Sequence, residues 1–242
     1  MNCLLFEAQK YVSQICQTYQ IDDTHGLGHA LKVMNHIKLC LLDDVIYHLD
    51  QQTQNELLIT GLLHDIDDHK YCPPNTHNAE DFLTIHCQPA TVQRILRWIS
   101  YVSTSHNGND IPAEALEYPW VLWPRYCDRI EAVGLIGITR LLEYSHQYGI
   151  VDYLETTPRA QTYEEVMSLV TPERFEQYRH NNGVSVSSID HIYDKLLHIC
   201  DVKTDSPYID HQLSLGKQVL VDICINYGRY GRLLFEETPQ NP

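Results

Sequence analysis

The residues with the most chemical potential in this 242-residue chain lie in one stretch, Leu57 to Tyr71. An apolar run from Leu57 to Leu63 ends in His64-Asp65, followed by Asp67, Asp68 and Lys70. A run with no polar face belongs to a helix buried on most sides. Burying a carboxylate beside an imidazole costs roughly several kcal/mol unless a cation, hydrogen bonds or a metal ion compensates. Two other helices carry ligand-type residues on apolar stripes. His29 shares a face with Val33, His36, Ile37 and Cys40, and Asp128 with Ala132, Leu135, Ile138, Thr139 and Leu142. A polar residue on such a stripe points into the core or a cleft in it. Two imidazoles, His29 and His64, converging with two carboxylates, Asp65 and Asp128, would form a mixed nitrogen and oxygen site for a divalent transition metal. Singly, each signal is weak: with 14 histidines a satisfied structural histidine is the default, and Asp128-Arg129 reads equally as a helix-end ion pair. The order His29, His64-Asp65, Asp128 lifts the joint reading.

Helical periodicity supplies the elements that must position these groups. The pattern predicts a helix over about Cys3 to Tyr19, then a second towards Leu49, with capping oxygens offered by Asp22-Asp23-Thr24. The buried helix follows at about Thr53 to Ile66, and Pro73-Pro74-Asn75-Thr76 breaks the chain. His77 to His86 reads as a short helix, and Pro89 suits the first turn of the next. Asn107-Gly108-Asn109-Asp110 is a turn signal. Arg125 to Tyr148 reads as one long amphipathic helix closed by Gly149. Thr171-Pro172 opens a helix that stops near Asn181-Asn182-Gly183. Ser187 with Asp190 starts another in capping-box style, and Ser206-Pro207 starts the last, to about Glu236. Strand alternation is nowhere convincing. The expectation is one all-α domain spanning 1–242, with residues 150–186 as an inserted cap or lobe.

Hydrophobic content of 43% and charged content of 20% describe an ordinary globular protein. The net charge of −15 repels nucleic-acid backbones and anionic membranes, and no basic run exceeds a pair. None of the eight cysteines forms a CxxC motif. Met1 to Ile15 carries Glu7 and Lys10 where a secretory leader would be apolar, and no segment approaches the length of a membrane span. These features lead to the expectation of a cytoplasmic protein with reduced thiols and no membrane or nucleic-acid polymer partner. Oligomeric state is open.

The sequence resembles the HD-domain metal-dependent phosphohydrolases, in particular a small stand-alone bacterial subgroup that includes nucleotide pyrophosphohydrolases. The resemblance runs through Asp23 to Val33, Leu62 to Tyr71, Ile95 to Ser103, Tyr126 to Gly134 with Ile136-Gly137, and His191 to Leu197, in the family's order. It implies a helical domain with a buried central site in which His29, His64, Asp65 and Asp128 bind one divalent metal. Two positions depart from the subgroup: Gly26 stands where it usually has Asp, and Arg125-Tyr126-Cys127-Asp128 keeps only the last carboxylate of its Asp-Ala-Asp. The ligand set survives these changes, whereas the substrate contacts of the missing carboxylates do not.

The resemblance at Asp68-His69-Lys70 makes Lys70 the first candidate to meet phosphoryl charge, against the ordinary reading of a surface lysine. Asp68, four residues after His64, would share its face if the helix continued. It then serves as general acid or base, or as a helix-end turn residue, with equal weight. His25, four residues before His29, is a candidate substrate contact. Arg129 and Lys195 are weaker phosphate contacts, for which a structural ion pair is the commoner role. Glu131 could hold a ligand or Arg129. The expected activity is hydrolysis of a phosphoester or phosphoanhydride of a small metabolite, foremost a nucleotide, by a metal-activated water. Mn²⁺ suits the mixed ligand set, with Mg²⁺, Fe²⁺, Co²⁺, Ni²⁺ and Zn²⁺ also open. The alternatives are a non-catalytic, metal-stabilised sensor and, further behind, a di-iron oxygenase on the same scaffold.

Overall fold

A computed structural model describes residues 3–22, 25–43 and 46–233. The fold is all-α, with no strand among the described residues. Asp23-Thr24 lie outside them, and the final helix, expected to run to about Glu236, stops at Tyr230.

The chain divides into two compact units. The first comprises Met1–Glu131 and Lys203–His211, the second Ala132–Val202 and Gln212–Pro242. In the first unit, α1 (Cys3–Tyr19) buries Leu5, Ala8 and Val12, one helical face. The next helix, α2 (Leu27–Asp43), buries His29, Ala30, Val33, Met34, Ile37 and Cys40 at the spacing of one stripe. At the centre lies α3 (Gln51–Leu63), in which every residue from Glu56 to Leu63 is buried. Asp50 caps it by accepting the Thr53 N–H at 2.7 Å. The buried Glu56 carboxylate is satisfied by the Arg94 guanidinium, with Nε and Nη2 both at 2.6 Å.

α3 packs mainly on α2, then on α5 and α1. Gly61 allows the first contact, because a Cβ there would meet Ile37 Cδ1 at 2.5 Å. α4 (Asn78–His86) and α5 (Pro89–Ser100) follow, with Pro89 in the first turn of α5. Short helices α6 (Thr104–Asn107) and α7 (Ala113–Glu117) and a 3-10 turn (Pro119–Leu122) lead into α8 (Trp123–Ala132). Trp98, Trp123 and Tyr126 are core side chains.

Three more expectations about helices change. The single helix from Arg125 to Tyr148 is two, α8 and α9 (Gly134–Gln147), broken where Gly134 takes φ +69°. Leu135 and Thr139, placed on the Asp128 face by periodicity, are exposed on α9. The second helix stops at Asp43 rather than near Leu49. The buried helix stops at Leu63, and His64 to Asp67 form turns. Asp68 therefore does not share a helical face with His64.

In the second unit, residues 150–186 are knitted into a helical run of α12 (Ser188–His191), a π turn (Ile192–Leu196) and α13 (Leu197–Cys200). Before it come α10 (Tyr163–Leu169), capped by Thr162, and α11 (Pro172–His180), capped by Thr171. Ser188 and Ile189 donate backbone N–H groups to Val151 and Asp152. Arg174 of α11 reaches Asp190 at 2.8 Å and Asp194 at 2.7 Å. Ser187 accepts the Asp190 N–H, as the capping-box reading expects. The last helix, α14 (Pro207–Tyr230), begins in the first unit and continues in the second.

Candidate metal centre

Three elements of the first unit deliver four ligand-type side chains to one place. His29 lies in the first turn of α2, His64-Asp65 directly follow α3, and Asp128 lies midway along α8. His29 Nε2 is 3.1 Å from Asp128 Oδ1 and 3.6 Å from Asp65 Oδ2. His64 Nε2 is 3.4 Å from Asp65 Oδ2 and 3.7 Å from Asp128 Oδ1. The two imidazole rings are 5.2 Å apart, edge to face.

Both ring nitrogens of His29 and Nε2 of His64 are buried without a hydrogen-bond partner. His64 Nδ1 lies 2.9 Å from the Gly61 carbonyl. A carbonyl only accepts, so Nδ1 carries the proton and a neutral His64 presents the Nε2 lone pair to the carboxylates. A lone pair aimed at anions is unfavourable unless a proton or a metal cation stands between them. Burial alone would lower the His64 imidazole, but the Asp65 and Asp128 carboxylates outweigh it and raise it well above its ordinary value. Burial likewise pushes both carboxyls up, and the two histidines overcome it and hold them low.

A divalent ion fits these groups. Nitrogen and oxygen ligands about 2.0–2.2 Å from a metal sit roughly 3–3.5 Å from one another, and the histidine–carboxylate distances here, 3.1 to 3.7 Å, are close to that. His29, His64 and Asp128 each place a ligand atom within 4.8 Å of the others. The His64 contact to Gly61 is the outer hydrogen bond that fixes a metal-bound imidazole's tautomer. The histidine side chains are 3% and 1% exposed, the Asp65 and Asp128 side chains 24% and 26%. Solvent thus reaches the cluster from the carboxylate side.

The other candidates have different surroundings. His25 stands beside His29, ring centroids 6.3 Å apart, with Nδ1 3.1 Å from the Tyr71 hydroxyl. That hydroxyl donates to Asp22 at 3.0 Å. Asp68 belongs to its own turn: its carboxylate accepts the Lys70 N–H at 2.9 Å, and its carbonyl accepts from Tyr71 and Cys72. Lys70 is exposed, with Nζ 3.8 Å from Asp68. Asp67 instead caps α4, accepting the N–H groups of Asn78 and Ala79.

Arg129 is not disposed as a phosphate contact. It is 1% exposed and its guanidinium donates to Asn109 Oδ1 at 2.9 Å and the Gly108 carbonyl at 2.6 Å. Arg125, equally buried, holds the Tyr101 and Asp110 carbonyls. The two arginines clamp the loop between α5 and α7 onto α8. Lys195 lies in the second unit, its ammonium 5.8 Å over the Tyr178 ring. Cys127 is a buried thiol 3.7 Å from Cys40.

Sequence reasoning gave no role to His36, Tyr71 or Tyr208. His36 sits on the His29 stripe seven residues on, a signal that was present. The other two are aromatic side chains whose hydroxyl partners lie far away in sequence.

No family model matches the chain. It is 33% identical over 221 residues to the uncharacterized protein L803 of Acanthamoeba polyphaga mimivirus, covering 84% of this chain and 88% of that protein. The chain belongs to the same family as that viral protein. A crystal structure from Lactobacillus plantarum superposes with a TM-score of 0.69 at 20% identity, over 95% of this chain and 97% of that one. The Lin1889 protein of Listeria innocua gives 0.61 at 15% identity, over 96% and 97%. The fold is shared with these two bacterial proteins.

No helix among the described residues is long and apolar enough to cross a membrane.

Proposed function

We propose that this protein is a divalent-metal-dependent phosphohydrolase that cleaves a phosphoester or phosphoanhydride bond of a small metabolite, foremost a nucleotide. One observation carries the reading: buried, unpartnered imidazole nitrogens of His29 and His64 face Asp65 and Asp128 at ligand spacing. The resemblance to the HD-domain phosphohydrolases supports it through the same four residues. A divalent ion held there, Mn²⁺ in this reading, supplies a water of lowered pKa and polarises a phosphoryl oxygen.

The chain's own groups divide the remaining work. His29 and His64 offer neutral nitrogens from the buried side, and Asp65 and Asp128 offer charge from the open side. Their summed charge of two negatives offsets that of a divalent ion. Lys70, on the turn leaving the cluster, is the cation the chain offers to phosphoryl oxygens, with Asp68 holding that turn by the Lys70 N–H. His25, tied to Tyr71, flanks His29 and is the candidate to orient substrate or exchange a proton.

Metal analysis of the purified protein, combined with a Mn²⁺-supplemented screen for phosphate or pyrophosphate release from nucleotides, tests the proposal. The expected result is about one ion per chain and turnover, both lost in His64→Ala. Bound metal without release from any nucleotide would favour the sensor reading, and a chain that takes up no divalent ion would remove the basis for both.

A further inference from the structure

Behind the four ligands, α2 and α8 make a second polar contact. Glu131 lies one turn beyond Asp128 on α8, and Lys32 and His36 lie one and two turns beyond His29 on α2. Glu131 is 5% exposed. Its Oε1 is 3.0 Å from His36 Nε2, and its Oε2 is 3.5 Å from Lys32 Nζ. The other nitrogen of His36 is 2.6 Å from the hydroxyl of Tyr208, in the first turn of α14. An ionised carboxylate only accepts, so Nε2 carries the His36 proton. Nδ1 is then bare and accepts from Tyr208. Both ring nitrogens are used, and three helices are joined in a fixed order.

We infer that Glu131, His36 and Tyr208 form a latch that sets the distance between His29 and Asp128, and so fixes the affinity and geometry of the divalent-ion site. The inference rests on the metal reading above. The helices that carry the two ligands are joined where Glu131 meets two residues of α2. Asp128 lies one turn from that contact, and His29 one turn from Lys32 and two from His36, within the rigid span of a helix. The latch residues are positioning residues: they touch neither ion nor substrate.

The test uses the full chain, stripped of metal by a chelator and titrated with Mn²⁺, without reading hydrolysis. Hydrogen bonds made directly to a metal ligand are worth about 10–100-fold in metal affinity. The latch acts through the helices instead, which sets its effect at the lower end, about 10-fold. Glu131→Gln and His36→Ala are expected to weaken Mn²⁺ binding by that order, and Tyr208→Phe by less. His36→Gln keeps an N–H donor towards Glu131 and should restore binding to within about threefold of wild type. Glu56→Gln breaks the buried Arg94 pair of α3 and serves as the stability control. It should lower the thermal midpoint and leave Mn²⁺ affinity unchanged. With Co²⁺ as the probe, the ligand-field spectrum should change in Glu131→Gln and not in the control.

Wild-type binding retained within twofold in Glu131→Gln and His36→Ala would overturn the latch alone, as would equal loss in the Glu56→Gln control. A wild-type protein that binds no Mn²⁺ or Co²⁺ would overturn the metal centre and the latch together.

Discussion

His64 is the side chain on which the residue-scale argument turns. Its Nδ1–H is spent on the Gly61 carbonyl and its Nε2 on nothing. Two acceptor nitrogens and two carboxylates in one half-buried cluster repel one another, and protonating the imidazoles or binding a cation relieves the repulsion by the same electrostatics. Another carboxylate in this unit shows the ordinary compensation instead. Asp210 is partly buried, which would raise its carboxyl, but Lys203 and the Thr204 hydroxyl and N–H outweigh burial and hold it low. A carboxyl whose folded pKa lies below its unfolded value, about 3.9 for Asp, adds stability above that pH. The contribution disappears as pH falls through the still lower folded value. Asp210→Asn should therefore lower the thermal midpoint at pH 7, and the gap to wild type should close below about pH 4. A gap that stays constant between pH 7 and pH 3 would contradict this account.

At the scale of elements, the candidate ligands are placed by the packing of α2 on α3 and by side-chain contacts from both to α8. Gly61→Ala would gain helix propensity, but its new Cβ would press on Ile37, which is fully buried. Overpacking of this kind costs about 1–3 kcal/mol, more than the roughly 1 kcal/mol of propensity gained. The expected result is a lower thermal midpoint together with weaker Mn²⁺ binding, because the same contact seats α2 and its His29. Arg129 makes a comparable case for α8. A lysine cannot reach Asn109 and Gly108 with one planar fork, so Arg129→Lys should cost about 1–3 kcal/mol. Amide hydrogen exchange in residues 104–110 should quicken, and unchanged protection there would speak against the clamp. These elements also show what the sequence could and could not disclose. Helical stripes exposed α1 and α2 and put His29 on an inward position, because apolar burial follows a 3.6-residue period, while the unbroken apolar run of α3 marked His64. The stripe drawn for Asp128 ran on into α9, where Leu135 and Thr139 are exposed. The break at Gly134 was hidden, because a glycine inside an apolar pattern has no mark that it will turn left-handed. The two readings of Asp68, on a continuing helix or as a helix-end turn residue, stand equal in the sequence because its carboxylate cap on Lys70, a local competitor of helix, has no periodicity; the turn is what forms. The roles of Arg129 and Tyr208 depend on contacts 21 and 172 residues away, beyond any window of local pattern.

For the molecule as a whole, charge and connectivity bear on how a bound ion would be felt. The net charge of −15 is carried by a chain whose candidate centre adds two carboxylates in one place. A divalent ion that binds only the folded state stabilises it by RT ln(1 + [L]/Kd), about 2.7 kcal/mol when the free ion exceeds Kd a hundredfold. For a chain of this size that corresponds to roughly 5–10 °C in thermal midpoint. The ligands come from α2, the turn after α3, and α8, so the ion would tie together segments spanning residues 29 to 128 of the first unit. Its removal should therefore lower the unfolding temperature of the entire first unit and not just fray one helix. The second unit holds its own ion pairs around Arg174 and contributes none of the four ligands. Chelation followed by scanning calorimetry is expected to shift the first unit's transition downward, with readdition of Mn²⁺ restoring it in a concentration-dependent way. His64→Ala should unfold at one temperature with or without Mn²⁺. A wild-type transition that chelation does not move, in protein shown to have lost its metal, would mean that the ion contributes nothing to the folded state and that the cluster is not its site.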